Sequence, residues 1–168
     1  MAGIAPRFRP LSPDTLTAAQ KPIVDRLKKS LPPGRDGLGG PFDIMLLSPG
    51  MANGMVDLFE YYRFHTKLPA RLKEFAILIL AREWTAQFEW FAHKPAAEKA
   101  GLAAAVIADL RLGKRPAAMQ PDEVAIYDLS LALIRDHVAD DAAFDKARGL
   151  LGDEQLVDLI SLIGEYMK

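Results

Sequence analysis

Residues 71–102 read RLKEFAILILAREWTAQFEWFAHKPAAEKAGL, and this stretch decides which fold the sequence predicts. Pro69 suits the first turn of a helix, and the apolar residues that follow predict a helix over residues 70–82. Thr85 is the expected N-cap of a second helix, which runs to residue 100 and ends before a glycine. Two successive helices with no strand between them predict an all-α protein.

The rest of the sequence shows the same helical spacing, with no strand-like alternation or hairpin motif. Residues 31–50 contain five Gly and four Pro and predict a long loop. Pro22 lies inside the first predicted helix and is expected to shorten or bend it. The further expected helices cover residues 14–30, 51–66, 103–112, 121–137, 140–150 and 153–167. The sequence therefore predicts a single-domain bundle of about seven or eight helices over residues 14–168, after an extended arm over residues 1–13.

The composition excludes several classes of protein. Of the 168 residues, 50% are hydrophobic and 26% are charged, so the chain can bury a sizeable core. The net charge of −1, with acidic and basic residues intermixed, predicts no nucleic-acid partner. The longest apolar run, residues 75–81, is too short to cross a bilayer, and MAGIAPRFRPLSPD lacks the apolar region of a secretory signal. These features predict a cytoplasmic protein. The absence of cysteine excludes disulfides, thiolate metal sites and a thiol nucleophile.

The second helix of the quoted stretch has a polar face and an aromatic face. At 100° per residue, the polar sector holds Arg82, Ala86, Glu89 and His93, with Trp90 beside it. The opposite side holds Trp84, Phe88, Phe91 and Ala92 and is expected to face the core. Glu89 and His93 are i,i+4 neighbours that can form a proton-transfer pair, although such a pair on a solvated helix is more often structural.

A metal site at Glu89 and His93 is the weaker interpretation of the same spacing. Glu-x-x-x-His supplies two ligands, no HExxH motif occurs, and a ferritin-like site needs two Glu-x-x-His motifs. The sequence therefore predicts no metal, and a metal-dependent enzyme would need a further ligand from elsewhere in the chain. His65 and His137 are expected to be ordinary histidines at helix ends.

The quoted stretch resembles the signature region of the carboxymuconolactone decarboxylase family, which includes the alkyl hydroperoxidase D (AhpD) proteins. The shared pattern is an Arg-x-x-Glu-x-x-Ile-Leu helix, an aromatic-Glu-Trp stretch, a His and a closing Ala-x-x-x-Gly-Leu. The resemblance is strong over residues 71–102 and looser over residues 42–165, and it implies an AhpD-like helical bundle.

The hydroperoxidase branch of that family uses a Glu, a Cys-x-x-Cys pair and a His. Glu74 and His93 match the Glu and His positions, whereas the two Cys positions fall on Ala86 and Glu89. Because no thiol is present, thiol peroxidase activity is excluded. The chain therefore resembles the cysteine-free branch, whose decarboxylase removes CO₂ from a carboxylated lactone in aromatic compound catabolism, without a metal or an organic cofactor.

This resemblance implies a cofactor-free carboxy-lyase, or a related acid/base enzyme, that acts on a small carboxylated or lactone-like molecule. His93 would be the acid/base, Glu89 would orient it, and Glu74 would be a second carboxylate of the relay. The implied substrate-binding residues are Arg82 or Arg71 for a carboxylate, Gln87 and Glu83 for polar contacts, and Trp90 as a pocket cover.

The family also implies a homo-oligomer, a trimer or a hexamer, in which the Met-rich and aromatic residues 51–64 would supply a contact. The alternative to an enzyme is a non-catalytic binding or assembly protein on the same helical scaffold.

Overall fold

The structure, a computed structural model, describes residues 7–31 and 38–167. These residues form helices and no strand, which confirms the predicted all-α class and its seven or eight helices. The eight α-helices are α1 (Lys21–Ser30), α2 (Pro41–Leu46), α3 (Pro49–Phe64), α4 (Ala70–Glu83), α5 (Gln87–Lys99), α6 (Ala104–Arg111), α7 (Pro121–Leu131) and α8 (Asp141–Tyr166). No helix in these two ranges combines the length and the apolarity that crossing a bilayer requires.

The chain divides after His65 into two compact units, Met1–His65 and Thr66–Lys168, whereas the sequence grouped residues 14–168 as one domain. The first unit holds α1 to α3 around a small core. The buried side chains of that core include Ile23, Val24, Leu27, Leu46, Ala52 and Val56. On its surface, Arg26 of α1 binds the carboxylates of Asp57 and Glu60 on α3 at 2.7 and 2.6 Å.

The second unit is built around α4. Residues 75–81 of this helix are buried on every side, as expected of a helix that is apolar all round. Helices α5, α6, α7 and α8 all pack against it. The helix begins directly after Pro69 and ends at Glu83, so its predicted bounds of 70–82 are confirmed to within one residue. Because α4 is central, residues on it are in reach of several helices.

Two predictions for the first unit are wrong in detail. The first helix starts at Lys21 and not near residue 14, because Pro22 occupies its first turn, where the missing N–H costs no hydrogen bond. The predicted loop over residues 31–50 contains α2, which Pro41 opens in the same way. Residues 1–6 of the predicted arm and residues 32–37 of that loop lie outside the described residues.

The predicted N-cap of the helix that carries His93 is also wrong. The N-cap is Ala86, and Thr85 adopts a left-handed backbone with φ of 55°. The chain reverses between α4 and α5 within three residues, and the Ala86 N–H donates to the carbonyl of Ala81 at 2.8 Å. The tight turn forces a left-handed residue, and Thr85 takes that conformation in place of a cap.

The helix boundaries near the C-terminus follow their predicted signals. Asp140 caps α8, since its carboxylate accepts the N–H of Ala143 at 2.7 Å. Gly152 interrupts α8 with φ of 73° and ψ of 172°, which divides it where the sequence predicted two helices. The predicted helix 121–137 is α7 followed by a π-helical turn over Ala132–Asp136, and it ends at the left-handed His137.

Candidate active site

The side chains of Glu74 on α4 and His93 on α5 meet in the second unit. Oε2 of Glu74 lies 2.7 Å from Nδ1 of His93, and the two side chains are 12% and 21% exposed. A carboxylate accepts hydrogen bonds and cannot donate them, so the contact holds a proton on Nδ1 of the imidazole. The other ring nitrogen, Nε2, is then left with a lone pair in the neutral ring and can act as a base.

Two further groups approach Nε2 of His93. Oε2 of Glu89, one turn earlier on α5, is 3.5 Å away, and the Tyr166 hydroxyl is 3.3 Å away. The Tyr166 and His93 rings meet edge to face, with their centroids 5.4 Å apart. With the proton held on Nδ1, the hydroxyl donates and Nε2 accepts. Both predicted carboxylates are therefore beside His93, together with a tyrosine from the end of α8.

The surroundings of Glu89 shift its acidity. Burial raises its pKa above the ordinary value for glutamate, and a nearby imidazolium at His93 opposes part of that rise. A carboxyl group that keeps its proton to higher pH than usual can serve as a proton donor. The arrangement therefore places a carboxyl group of raised pKa 3.5 Å from Nε2 of His93.

The predicted core face of α5 is wrong. Trp84 is 56% exposed, Phe88 41% and Phe91 78%, and Ala92 is exposed as well. The face that carries Glu89 and His93 is the one turned towards the protein, because Glu74 of the central helix α4 anchors the imidazole there. Hydrophobic periodicity alone gave the opposite orientation.

A pocket of about 330 Å³ lies at the start of α5. Its walls are Ala81, Arg82, Thr85, Ala86, Gln87, Trp90 and Arg111. Three of the predicted substrate-binding residues, Arg82, Gln87 and Trp90, therefore share one pocket. His93 is not part of the lining, because it lies one turn beyond Glu89 towards the other end of the helix. The cluster around His93 and the pocket therefore lie next to each other along α5.

The structure pairs the other two predicted binding residues with different partners. Arg71 binds Asp122 at 2.5 Å and also binds Glu123. Burial alone would lower the pKa of Arg71, but its hydrogen bonds to the two carboxylates outweigh burial and raise it. Glu83 receives two hydrogen bonds from Arg135, each of 2.7 Å. The structure therefore does not bring Arg71 and Glu83 into the pocket lining.

Sequence reasoning missed Tyr166 and Arg111. Tyr166 is 73 residues from His93, and only the packing of α8 brings the two side chains together. Arg111 stands in the last turn of α6, where a basic residue is common because it complements the helix dipole, so its type gave no indication of a site. Within residues 7–31 and 38–167, no three His, Asp or Glu side chains are arranged to hold a metal ion.

Comparisons with protein-family models, with curated proteins and with solved structures give no match to this chain. The likeness to the carboxymuconolactone decarboxylase family therefore rests on residues 71–102 themselves.

Proposed function

We propose that the protein is a cofactor-free acid/base enzyme that acts on a small carboxylated or lactone-like molecule. The observation that carries the proposal is the contact between Glu74 and His93, with Glu89 and Tyr166 on the other side of the imidazole. A histidine held in one tautomer by a carboxylate, with a second carboxyl group and a hydroxyl near its other nitrogen, is suited to moving a proton to or from carbon.

The reaction that fits both this cluster and the family resemblance is decarboxylation beside an unsaturated lactone. The bond between the substrate carbon and its carboxylate breaks, CO₂ leaves, and the electron pair moves into the conjugated system as a dienolate. Glu89 or the protonated His93 then delivers a proton to carbon. When Nε2 of His93 carries a proton it no longer accepts from the Tyr166 hydroxyl, so that hydroxyl can donate instead to the negative oxygen that forms, while Glu74 keeps the imidazole oriented.

The proposal is tested by proton exchange, which needs no knowledge of the product. The protein is incubated in D₂O with a panel of unsaturated lactones and carboxylic acids from aromatic catabolism, and deuterium incorporation and CO₂ release are followed. Acid/base catalysis by a positioned side chain contributes about 10²–10⁴-fold, so His93→Gln is expected to lose at least a hundredfold. His65→Gln is the matched control, since His65 caps α3 in the other unit.

Equal rates for the wild type and His93→Gln, with both proteins folded by circular dichroism, would remove His93 from the mechanism. If no member of the panel exchanges or loses CO₂ with the wild type, the binding or assembly function becomes the better proposal.

We also propose that the protein is a homo-oligomer and that the exposed aromatic face of α5 is one of its contacts. On α5, Phe91 is 78% exposed and Phe88 is 41% exposed, and Trp84, the C-cap residue of α4, is 56% exposed. Aromatic residues are enriched in the buried centres of subunit interfaces. The family resemblance implies a trimer or a hexamer. Light scattering tests this proposal. The double variant Phe88→Gln with Phe91→Gln is expected to form a smaller particle than the wild type. A wild-type protein with the mass of a monomer would contradict the proposal.

A further inference from the structure

We infer that Arg82 and Arg111 form a carboxylate-binding subsite in the pocket at the start of α5. This deepens the proposed function, on which it rests for the chemistry that follows binding, and it names the part of the site that recognises the acid. The binding step itself involves neither Glu74 nor His93, so the two proposals can fail separately.

The first argument is the pairing of arginines in this part of the chain. Residues 66–167 contain six arginines. Four of them, Arg71, Arg115, Arg135 and Arg148, each bind a carboxylate of the protein. Neither Arg82 nor Arg111 forms such a pair with any residue in the described ranges, yet both line the same pocket. Two positive charges that share a pocket without a counter-ion from the described residues favour an anionic ligand.

The second argument is the missing hydrogen bond of a buried atom of Arg82. Its Nε is buried and has no hydrogen-bond partner within the described residues. An unsatisfied buried donor costs about 1–3 kcal/mol in general, so a shift of the Arg82 side chain that brings this N–H to a ligand oxygen is favoured. The guanidinium lies against Gly113, where an added Cβ would be 2.7 Å from Nη2. Because Gly113 has no Cβ, it leaves room for the guanidinium of Arg82.

The third argument is the backbone around the pocket. Among the residues that the structure describes, no side chain caps the N-terminus of α5, where Ala86 and Gln87 line the pocket wall. Uncapped N–H groups and the positive end of the helix dipole favour an anion at this point. The adjoining Thr85 holds φ of 55°, a conformation that β-branched residues rarely adopt and that often marks functional sites.

The chemistry of the walls indicates a carboxylate on an apolar body. A guanidinium fork matches a carboxylate with two parallel hydrogen bonds, and Trp90 with Ala81 offers an apolar wall beside it. Six residues separate Gln87 from His93, which is about 9 Å along a helix axis. A ligand that reaches both sites therefore carries a second acid group, which Arg82 and Arg111 bind about that far from the carbon that loses CO₂.

The subsite is tested by isothermal titration of benzoate in a low-salt buffer without carboxylate or phosphate. Benzoate combines one carboxylate with an apolar ring, and inorganic phosphate is titrated in parallel. We expect saturable binding of benzoate that Arg82→Gln and Arg111→Gln each weaken about tenfold or more. Arg111→Gln is the decisive variant, because Arg111 is exposed and its loss leaves the core intact.

Arg115→Gln is the charge-matched control, since Arg115 pairs with Asp128 outside the pocket, and it is expected to bind benzoate like the wild type. The subsite is overturned if the wild type does not bind benzoate, if Arg111→Gln binds it unchanged, or if Arg115→Gln weakens it equally. Tighter binding of phosphate than of benzoate would overturn the carboxylate assignment. His93→Gln is expected to keep benzoate binding while it loses turnover, so a protein without His93-dependent chemistry would still show the subsite.

Discussion

Substitution of Arg71 by methionine is expected to destabilise the second unit strongly. The guanidinium binds Glu123, whose side chain is only 1% exposed, and Asp122, which is 31% exposed. Removing one partner of a buried ion pair leaves an uncompensated charge and costs about 3–5 kcal/mol. Since Arg71 itself is 19% exposed, water screens part of the interaction, so we expect the lower end, about 3 kcal/mol. For a chain of this length, the same loss lowers the melting temperature by about 6–12 °C.

The assay is urea and thermal unfolding of the variant beside two companions. Arg71→Met combined with Glu123→Gln removes the stranded charge, and its amide oxygen can still accept the Gln120 N–H that Glu123 now accepts at 2.8 Å. The double variant is expected to recover at least half of the loss. Arg148→Met is the matched control: its partner Asp153 is 75% exposed, so no measurable change in stability is expected.

A melting temperature of Arg71→Met within error of the wild type would refute the structural role. So would a double variant that is no more stable than the single one. If stability is unchanged while binding of a carboxylated ligand is lost, Arg71 belongs to substrate recognition, as the sequence suggested.

Three further substitutions test other parts of the structure. Burial holds the pKa of Glu89 above its ordinary value, so the folded state binds that proton more tightly than the unfolded chain, and the unfolding free energy falls as pH rises above about 4.5. Glu89→Gln removes this fall and should gain stability over the wild type at neutral pH in urea titrations. Gly152→Ala should cost about 1–3 kcal/mol in the same titrations, since φ of 73° with ψ of 172° suits only glycine, whereas Gly149→Ala, with open space for a Cβ, should not destabilise. Tyr166→Phe should lower kcat by about two- to tenfold in a protein that still folds, because it removes one hydrogen bond to His93 and keeps the ring.

Local features of the sequence predicted the helices well and the tertiary site only in part. Pro69 and Asp140 each act within a few residues of their own position, so the start of each helix could be seen without knowing the packing, although Pro69 is the N-cap of α4 and not part of its first turn. The proximity of Glu74 and His93 was expected only from the family resemblance, because 19 residues and a helix reversal separate them. No local pattern indicated that Tyr166 would join them.

Proline was the residue whose effect depended most on context. Pro22 was expected to disturb a helix that had already begun, but the helix begins beside it. Pro41 stood in a stretch so rich in glycine and proline that a loop was the simpler prediction, yet it opens α2. Proline can end a helix or start one. Which of the two occurs depends on whether the apolar residues that follow the proline pack into a core.

The orientation of α5 runs against the hydrophobic pattern of its own sequence. Burying a phenylalanine side chain contributes about 1.5–3 kcal/mol, so turning Phe88 and Phe91 inwards would stabilise the isolated chain by several kcal/mol. The helix instead turns Glu89 and His93 inwards and leaves Phe91 78% and Phe88 41% exposed. A helix whose orientation departs this far from its own hydrophobic pattern is typical of functional sites and of surfaces that a partner covers. A second copy on the aromatic face would recover the apolar burial while the acid/base cluster stays in place, so one orientation of α5 accounts for both the proposed site and the proposed assembly.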